Sequence, residues 1–450
     1  MRNVMKTATL ESKFPLLAVE NGCIISKDAD ITVAYKVELP ELFTLTSAEY
    51  EAMHSTWAKA VKVLPNYSIV HKQDFFVEES YKPDICKDGI SFLSRSFERH
   101  FNERPYLQHT CYLFLTKTTK ERSRTTSSFN ALTRGFIIPK EMQDKETVSR
   151  FMECCGQFER IVNDSGLLRI TRLTDGEITG TESSGIIEKY FSLSQEDTAC
   201  LQDLSLGAGE MKVGDNYLCL HTLSDPEDLP SGVATDCRYE RLSTDRSDCR
   251  LSFAAPIGIL LTCNHVVNQY LFIDDSAENL RKFEQTARNM HSLSRYSRSN
   301  QINREWIEEY LNEAHSKGLT SIRAHCNVMA WSDDREKLKR IKNDVGSQLA
   351  LMEAKPRHNT VDVPTLFWAA IPGNAGDFPS EESFYTFIEQ ALCLFVGETS
   401  YKDSLSPFGI RMVDRLTGKP VHLDISDLPM KNGTITNRNN TLYFYHFYIV

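Results

Sequence analysis

Gly418-Lys419 is the one Gly-Lys pair in the chain and the first place to look for a phosphate site. A phosphate-cradling loop needs Gly, four residues, Gly-Lys and then Ser or Thr, because successive backbone N–H groups and the lysine must surround the phosphates. Val413 stands where the first glycine belongs and Pro420 follows the lysine, so the spacing fails on both sides. Gly207, Gly209 and Gly214 make no dinucleotide fingerprint either, since the third comes too late and no apolar helix follows; a turn-rich loop is expected there. Tyr270-Leu271-Phe272-Ile273-Asp274-Asp275 has the strand-then-acid order that holds Mg²⁺ in phosphate-loop hydrolases. With no phosphate to serve, the simpler expectation is a strand ending at Asp274 and a helix capped by Asp275 or Ser276.

Two thiol–imidazole pairs remain. Cys263 and His265 lie two apart and His325-Cys326 are adjacent, neither being a zinc spacing, and no Cys-x-x-Cys occurs. They are expected in strand cores or edges, and a hydrolase using Cys263 or Cys326 survives only if the fold sets a histidine and an oxyanion site beside one of them. Two basic stretches could face an acidic partner or a nucleic acid: Lys117, Lys120, Arg122, Arg124 and Arg134 against Glu121, and Arg281, Lys282, Arg288, Arg295, Arg298 and Arg304 against Glu284. Solvated faces are the expectation for both, with no direct nucleic-acid contact assigned. No catalytic, cofactor-binding or metal-ligating residue is assigned.

The elements that position these residues follow from periodicity. Cys23 to Ser26 and Ile31 to Val37 read as strands, Thr46 and Glu49 as a capping box opening a helix through Leu64, and Ser68 to Val77 as extended. Leu93, Phe97 and Phe101 mark a short helix, Cys111 to Leu115 a strand, and Glu141 to Val162 a helix stopped by Gly166. Residues 167 to 247 are mixed, with a strand at Asn216 to Leu220. Phe253 to Cys263 and Val266 to Ile273 are expected as neighbouring strands, then helices from Ala277 and around Trp306, and an alternating strand at Ile322 to Ala330. A short helix at Leu338 to Val345, strands at Leu349 to Met352 and Leu366 to Ile371, and a helix at Phe384 to Phe395 complete the pattern.

The expected class is α+β or mixed α/β without a phosphate-loop motor. An α+β module at 1–115, a basic Ser/Thr-rich loop or linker at 116–135, a larger alternating α/β domain at 136–425 and a strand-like segment with an aromatic end at 426–450 make up its parts. With 450 residues and 41% hydrophobic content the chain can build real cores, so disorder is excluded as its main state. Its net charge of −10 speaks against wrapping nucleic acid in a basic surface. Twelve cysteines without paired spacing read as reduced thiols, and no apolar run has the length of a membrane span.

Phe367-Trp368-Ala369-Ala370-Ile371-Pro372-Gly373-Asn374 resembles the Pro-Gly-Asn strand end of the large conjugation and type IV secretion ATPases. Ser404 to Gly409, Gly418 to Val421 and Ile435 to Asn439 follow in the order those proteins show ahead of their motor, and Ala34 to Glu41 and Leu93 to Phe101 resemble the same group. The chain is thus similar, up to about Asn439, to the N-terminal part of TraG-type conjugation ATPases, the kind carried by conjugative transposons of Bacteroides. The resemblance implies a cytoplasmic protein, with a peripheral place at the inner membrane as the alternative, in a family that powers channel assembly and DNA transfer. The family's phosphate loop and magnesium-binding acid belong to the motor, so none of those residues carries over. The expectation is a truncated, non-catalytic portion that docks on conjugation channel components or on full-length relatives, or a relic; a subunit completing an ATPase with a separately encoded motor is the alternative. Five of the last ten residues are aromatic, which fits a foreign tail better than a selected element, with a short strand as the alternative.

Overall fold

The capping box at Thr46 and Glu49 is formed: the Thr46 hydroxyl accepts from the Glu49 N–H, and the Glu49 carboxylate accepts from the Thr46 N–H at 2.7 Å. Two donors that a helix start leaves open are thereby satisfied. The structure, a computed structural model, describes residues 8–82, 92–124, 126, 132, 135–136, 138–181, 183–207, 210–293, 297–404, 410–424 and 447–449. Its strands in chain order are β1 (Leu16–Glu20), β2 (Cys23–Ser26), β3 (Ile31–Glu38), β4 (Ser68–Ser80), β5 (Pro105–Lys117), β6 (Arg169–Arg172), β7 (Leu204–Gly207), β8 (Glu210–Val213), β9 (Asn216–Leu223), β10 (Asp236–Arg238), β11 (Arg250–Ser252), β12 (His265–Ile273), β13 (Ser321–Ser332), β14 (Arg357–Asn359), β15 (Phe384–Phe387), β16 (Ile410–Asp414), β17 (Pro420–Leu423) and β18 (Phe447–Ile449). The helices are α1 (Leu10–Lys13), α2 (Ser47–Lys62), α3 (Phe92–Phe101), α4 (Lys145–Asp164), α5 (Asp175–Thr179), α6 (Ile186–Ser192), α7 (Ser276–Leu293), α8 (Arg298–Lys317), α9 (Arg335–Leu351), α10 (Val363–Ala369) and α11 (Ile388–Leu392).

One 13-stranded sheet runs in the order β1-β2-β3-β5-β4-β12-β13-β9-β8-β7, with β6 beside β3, β15 beside β13 and β14 beside β9. All of its pairings are antiparallel. The fold is therefore mixed α+β. The units drawn at 1–115 and 136–425 share this sheet, because β4 pairs with β12 from Ser68↔Ile273 to Phe76↔His265 and β3 pairs with β6. Local composition carries no record of which distant strand a strand will meet.

β12 and β13 are buried along their whole length. The sheet has a core on each face: α2, α4 and α9 cover one, and α6 with α10 the other. Trp57 of α2 meets Phe158 of α4 at 6.1 Å and Phe395 at 5.7 Å, joining three segments over one face.

Four elements differ from expectation. Phe253 to Cys263 contains a 3-10 turn at Ala255–Ile257 rather than a strand, since Pro256 and the tight seat of Gly258 against Val396 and Phe76 break an extended run. Leu349 lies in α9, and Leu366 lies in α10, which Pro364 opens at a first-turn position. Phe384 to Phe395 divides into β15 and α11. Each is a short apolar run, where periodicity cannot separate helix from strand. The basic 116–135 segment is only in part the solvated loop expected: Lys120, Glu121 and Arg124 are exposed, but Lys117 is buried and donates to the carbonyls of Asn66 and Thr118 at 2.8 and 3.0 Å, and Arg122 is buried as well. Of the two expectations for the aromatic end, a short strand is observed at Phe447–Ile449, paired with β16.

Trp57→Ala is expected to cost about 3–5 kcal/mol, because it empties a site shared by three buried segments. Urea unfolding of the variant against wild type checks it, and a loss below about 1 kcal/mol would contradict the packing described.

Candidate functional site

Gly418-Lys419 sits in the turn between β16 and β17. Asp414 organises this turn, accepting from the Thr417 hydroxyl at 2.5 Å and the Leu416 N–H at 3.0 Å. Lys419 is followed directly by the strand β17 and not by a helix start, so the turn does not offer the aligned N–H groups of a phosphate-binding helix N-terminus. Gly207 and Gly214 lie at the two turns of the β7-β8-β9 meander, Gly214 with φ 57°; Gly209 lies outside the described residues. The strand β12 ends at Ile273, and Asp275 caps α7 through the Glu278 N–H at 3.2 Å. Asp274 is buried and grips Arg323 with two bonds of 2.6 and 3.2 Å, which occupies the position where a metal-binding acid was conceivable.

The thiol pairs are not brought together. His265 bonds the Cys263 carbonyl at 2.8 Å and stacks on Phe76, while burial pushes the Cys263 thiol up to about 12. Strand alternation sends His325 and Cys326 to opposite faces of β13, and burial pushes Cys326 up to about 12 as well. Neither the Cys263 nor the Cys326 thiol has a histidine as hydrogen-bond partner among the described residues, so the condition for a hydrolase using one of them is not met; Cys393 lies 3.6 Å from His54, with burial pushing its thiol up to about 12. Among the described residues no group of three or more His, Cys, Asp or Glu side chains could hold a metal ion. The basic faces meet on one acid: Glu278 takes Lys120 at 2.6 Å, Arg124 at 3.1 Å and Lys282 at 3.0 Å. Arg295 and Arg134 lie outside the described residues.

What the fold does assemble is a set of straps tied across the central sheet. Phe367 to Asn374, the segment of the family resemblance, leaves α10 and turns at Gly373 with φ 89°, where a Cβ would run into Ile24. Asn374 is 1% exposed and donates to the Trp368 carbonyl at 2.9 Å. A Cβ at Gly376 would overlap Asp30 and touch Arg122. That close approach places Asp377 at 3.3 Å from Arg122, whose guanidinium also holds Asp28 at 2.9 Å and Asp30 at 2.8 Å. Burial works against the Arg122 charge, and the three carboxylates outweigh it.

On the same face a polar ladder crosses β4, β12 and β13. Gln73 donates to Asn268 at 2.8 Å and to the Ala370 carbonyl at 3.0 Å, Asn268 to Asn327 at 3.0 Å, and His325 bonds the Glu382 carbonyl at 2.6 Å. The ladder thus fastens both ends of the Pro-Gly-Asn strap. On the opposite face Lys72 meets Asp74 at 2.5 Å and the Val396 carbonyl at 2.9 Å, and Asp74 bonds His109, which reaches Thr399 at 2.9 Å. Burial alone would raise Asp74, but Lys72 and His109 hold it well below the ordinary carboxylate range. Glu398, between these anchors, accepts from the Ser252 N–H at 3.1 Å and from the Ser252 and Tyr50 hydroxyls at 3.0 and 3.3 Å, and burial pushes it up to about 7.

The strap through Thr399 leads into the β16–β17 hairpin. Met412 and Val421 join the core cluster of α2, and the Leu107 N–H donates to the Thr417 carbonyl at 3.1 Å. None of Asp28, Asp30, Lys72, Asp74, His109 or Glu398 was legible as a site residue. Single charges scattered in apolar or mixed runs carry no spacing signal; the one hint is a Lys72 and an Asp74 inside an otherwise strand-like segment.

Arg122→Met is expected to cost about 3–5 kcal/mol at pH 7.5, since it leaves three buried carboxylates without their cation. The penalty should shrink by pH 5, because unpaired buried carboxylates bind protons that the unfolded chain does not; an equal loss at both pH values in urea titrations would refute the charge knot. His71 and His325 are held down to about 3 and His265 to about 4 by burial. Between those values and 6.5 the unfolded chain binds more protons, so stability falls as pH drops through this window. Glu398, raised, acts in the opposite sense between 4.5 and about 7. Among the described residues burial lowers six histidines, His71, His109, His221, His265, His325 and His358, and raises four carboxyls, Glu41, Glu382, Glu398 and Asp414, so net stability should decline on acidification, and His325→Gln should flatten the slope by about 1.4 kcal/mol per pH unit in urea titrations from pH 6 to 4.5.

Comparison with known proteins bears on the two ends of the chain. Residues 3–55, which cover α1, β1 to β3 and the start of α2, match a domain of unknown function with a B. Theta gene description, DUF3875. Residues 409–443, which include β16 and β17, match the TraG P-loop domain. No curated protein matches the chain. No described helix is long and apolar enough to cross a membrane. The Leu405 to Gly409 and Ile435 to Asn439 segments of the resemblance lie outside the described residues, but the second match runs across Ile435 to Asn439. These two matches, at opposite ends of the sequence, are consistent with a TraG-type conjugation protein.

Proposed function

We propose that the chain is the non-catalytic portion that precedes the motor in a TraG-type conjugation ATPase, and that it docks and assembles that motor on the transfer channel. The observation that carries this reading is the seating of the β16–β17 hairpin. The TraG P-loop match begins with this hairpin, and Met412 and Val421 are each 1% exposed in the core that also holds Trp57 and Val267. A body joined to the motor's leading hairpin by buried apolar contact moves with it as one piece. That is what a docking domain requires if it is to pass force between a motor and a channel.

The reading as non-catalytic rests on the missing Gly-x-x-x-x-Gly-Lys-Ser/Thr spacing and on the hairpin turn that Gly418-Lys419 occupies. Its partners would be channel components at the cytoplasmic side of the inner membrane, or full-length relatives. Purified chain is expected to show no Mg²⁺-dependent ATP hydrolysis above a buffer blank and no nucleotide-induced change in Tm. Turnover that copurifies with the chain and disappears on chelation of Mg²⁺ would overturn the proposal.

A further inference from the structure

We propose that the first turn of α3 is a docking tip for an anionic lipid bilayer, with Phe92 and Leu93 entering the headgroup layer and Arg95 and Arg99 lying on its phosphates. The fold uses only part of the apolar stripe Leu93, Phe97 and Phe101: Phe97 and Phe101 are 6% and 5% exposed, whereas Leu93 is 77% and its neighbour Phe92 82% exposed. What holds α3 is its second half. β4 and β5 stay paired as far as Ser80↔Pro105, beyond the last pairing of β12 at Phe76 and of β3 at Cys111, and so form a two-stranded ribbon that runs past both neighbours. At the ribbon's end Tyr81 packs edge-on to Phe97 and Phe101 at 6.4 and 6.2 Å, and its hydroxyl donates to Glu98 at 2.9 Å. The Tyr81 N–H donates to the Arg104 carbonyl at 3.0 Å, and the Glu103 N–H to the Tyr81 carbonyl at 3.1 Å. None of these contacts reaches the first turn of α3, where Phe92, Leu93 and Arg95 are all exposed.

Charge and helical geometry select the occupant. Phe92, Arg95 and Arg99 follow at i, i+3 and i+7, which makes one stripe on the solvent side of the helix, opposite Phe97 and Phe101. At 1.5 Å per residue Arg95 stands about 4.5 Å and Arg99 about 10 Å behind Phe92 along the axis, within the depth of the boundary between headgroups and acyl chains. Both arginines are exposed, and neither has a hydrogen bond or ion pair among the described residues. Glu98 is buried against Tyr81, and the exposed Glu103 lies past the other end of the helix. Free guanidinium groups on long stems reach anionic headgroups while the apolar tip goes deeper. Phe92 and Leu93 lie about 100° apart around the helix, so a narrow protein groove cut for one leaves the other in water, whereas a fluid bilayer closes around both. Single-stranded nucleic acid engages arginines and stacks on a ring such as Phe92, but it leaves Leu93 uncovered. The proposal deepens the docking reading above, naming the surface on which the docked body rests, and the two fail separately. ATP turnover would remove that reading without touching α3, and a failure to bind vesicles would leave the seat of the β16–β17 hairpin as it is.

The test is cosedimentation of the full chain with vesicles of phosphatidylcholine alone and of equal parts phosphatidylcholine and phosphatidylglycerol. The chain should bind the mixed vesicles, and less so as salt rises. Affinity should drop about tenfold or more in the double variant Phe92→Ser/Leu93→Ser, and about fivefold in each of Arg95→Gln and Arg99→Gln. Unchanged Tm in every variant is expected, since all four side chains are exposed. In Phe92→Trp the added indole should be quenched by brominated lipid beyond the wild-type level, as a tip inside the headgroup layer requires. No binding to the mixed vesicles, equal binding to phosphatidylcholine alone, variants that bind as wild type does, no added quenching in Phe92→Trp, or an oligo-dT strand whose binding depends on Arg95 and Arg99 while vesicle binding does not would each overturn the proposal.

Discussion

A guanidinium does not give up its proton, and Arg122 is buried, so this protein has to bring negative charge to it from wherever the chain can supply it. Asp28 and Asp30 come from the β2–β3 turn and Asp377 from the strap beyond α10, residues that lie far apart in sequence. The knot holds only when the edge hairpin, the segment after β5 and the strap are all in place. Removing any one leaves charge in the core that costs several kcal/mol. Two glycines serve this convergence: Gly373 takes a left-handed turn and Gly376 lets the backbone lie against Asp30.

The same logic governs the central strands. β4, β12 and β13 bury both faces, and each face receives a different polar system: His71, Gln73, Asn268, Asn327 and His325 on one, Lys72, Asp74 and His109 on the other. A slip of one residue would exchange the faces and strand every one of these groups without partners. Apolar strands alone would leave the register weakly specified. The polar ladders set it, and through Ala370, Glu382, Val396 and Thr399 they also fix where the two straps cross.

Much of this fold could be read from residue order. The box at Thr46 and Glu49, the stripe of α4 and the alternation of β13 follow from patterns that span only a turn or two and do not depend on distant neighbours. Leu366 to Ile371 and Phe253 to Cys263 could not be read in this way, because burial on every side erases the contrast that periodicity needs. The knot was hidden for another reason. Arg122 sits among Lys120 and Arg124, which do lie on the surface and pair with Glu278, so a local charge count gives all three the same description. Only the approach of Asp28, Asp30 and Asp377 separates them, and that approach is a property of the whole fold.

The segment that carries the family resemblance shows what kind of information such a motif transfers. Gly373 and Asn374 of the Pro-Gly-Asn run are spent on a turn and on a bond to the Trp368 carbonyl, and the Asp377 that follows is spent on Arg122. Lys72, Asp74 and His109 are likewise committed to one another and to the strap through Thr399. A motif made of such residues transmits a way of folding, with chemistry left to other sites. Polar groups engaged inside in this way leave recognition to the surface. A body whose buried polar bonds tie its straps to its central strands is suited to the docking role proposed for it.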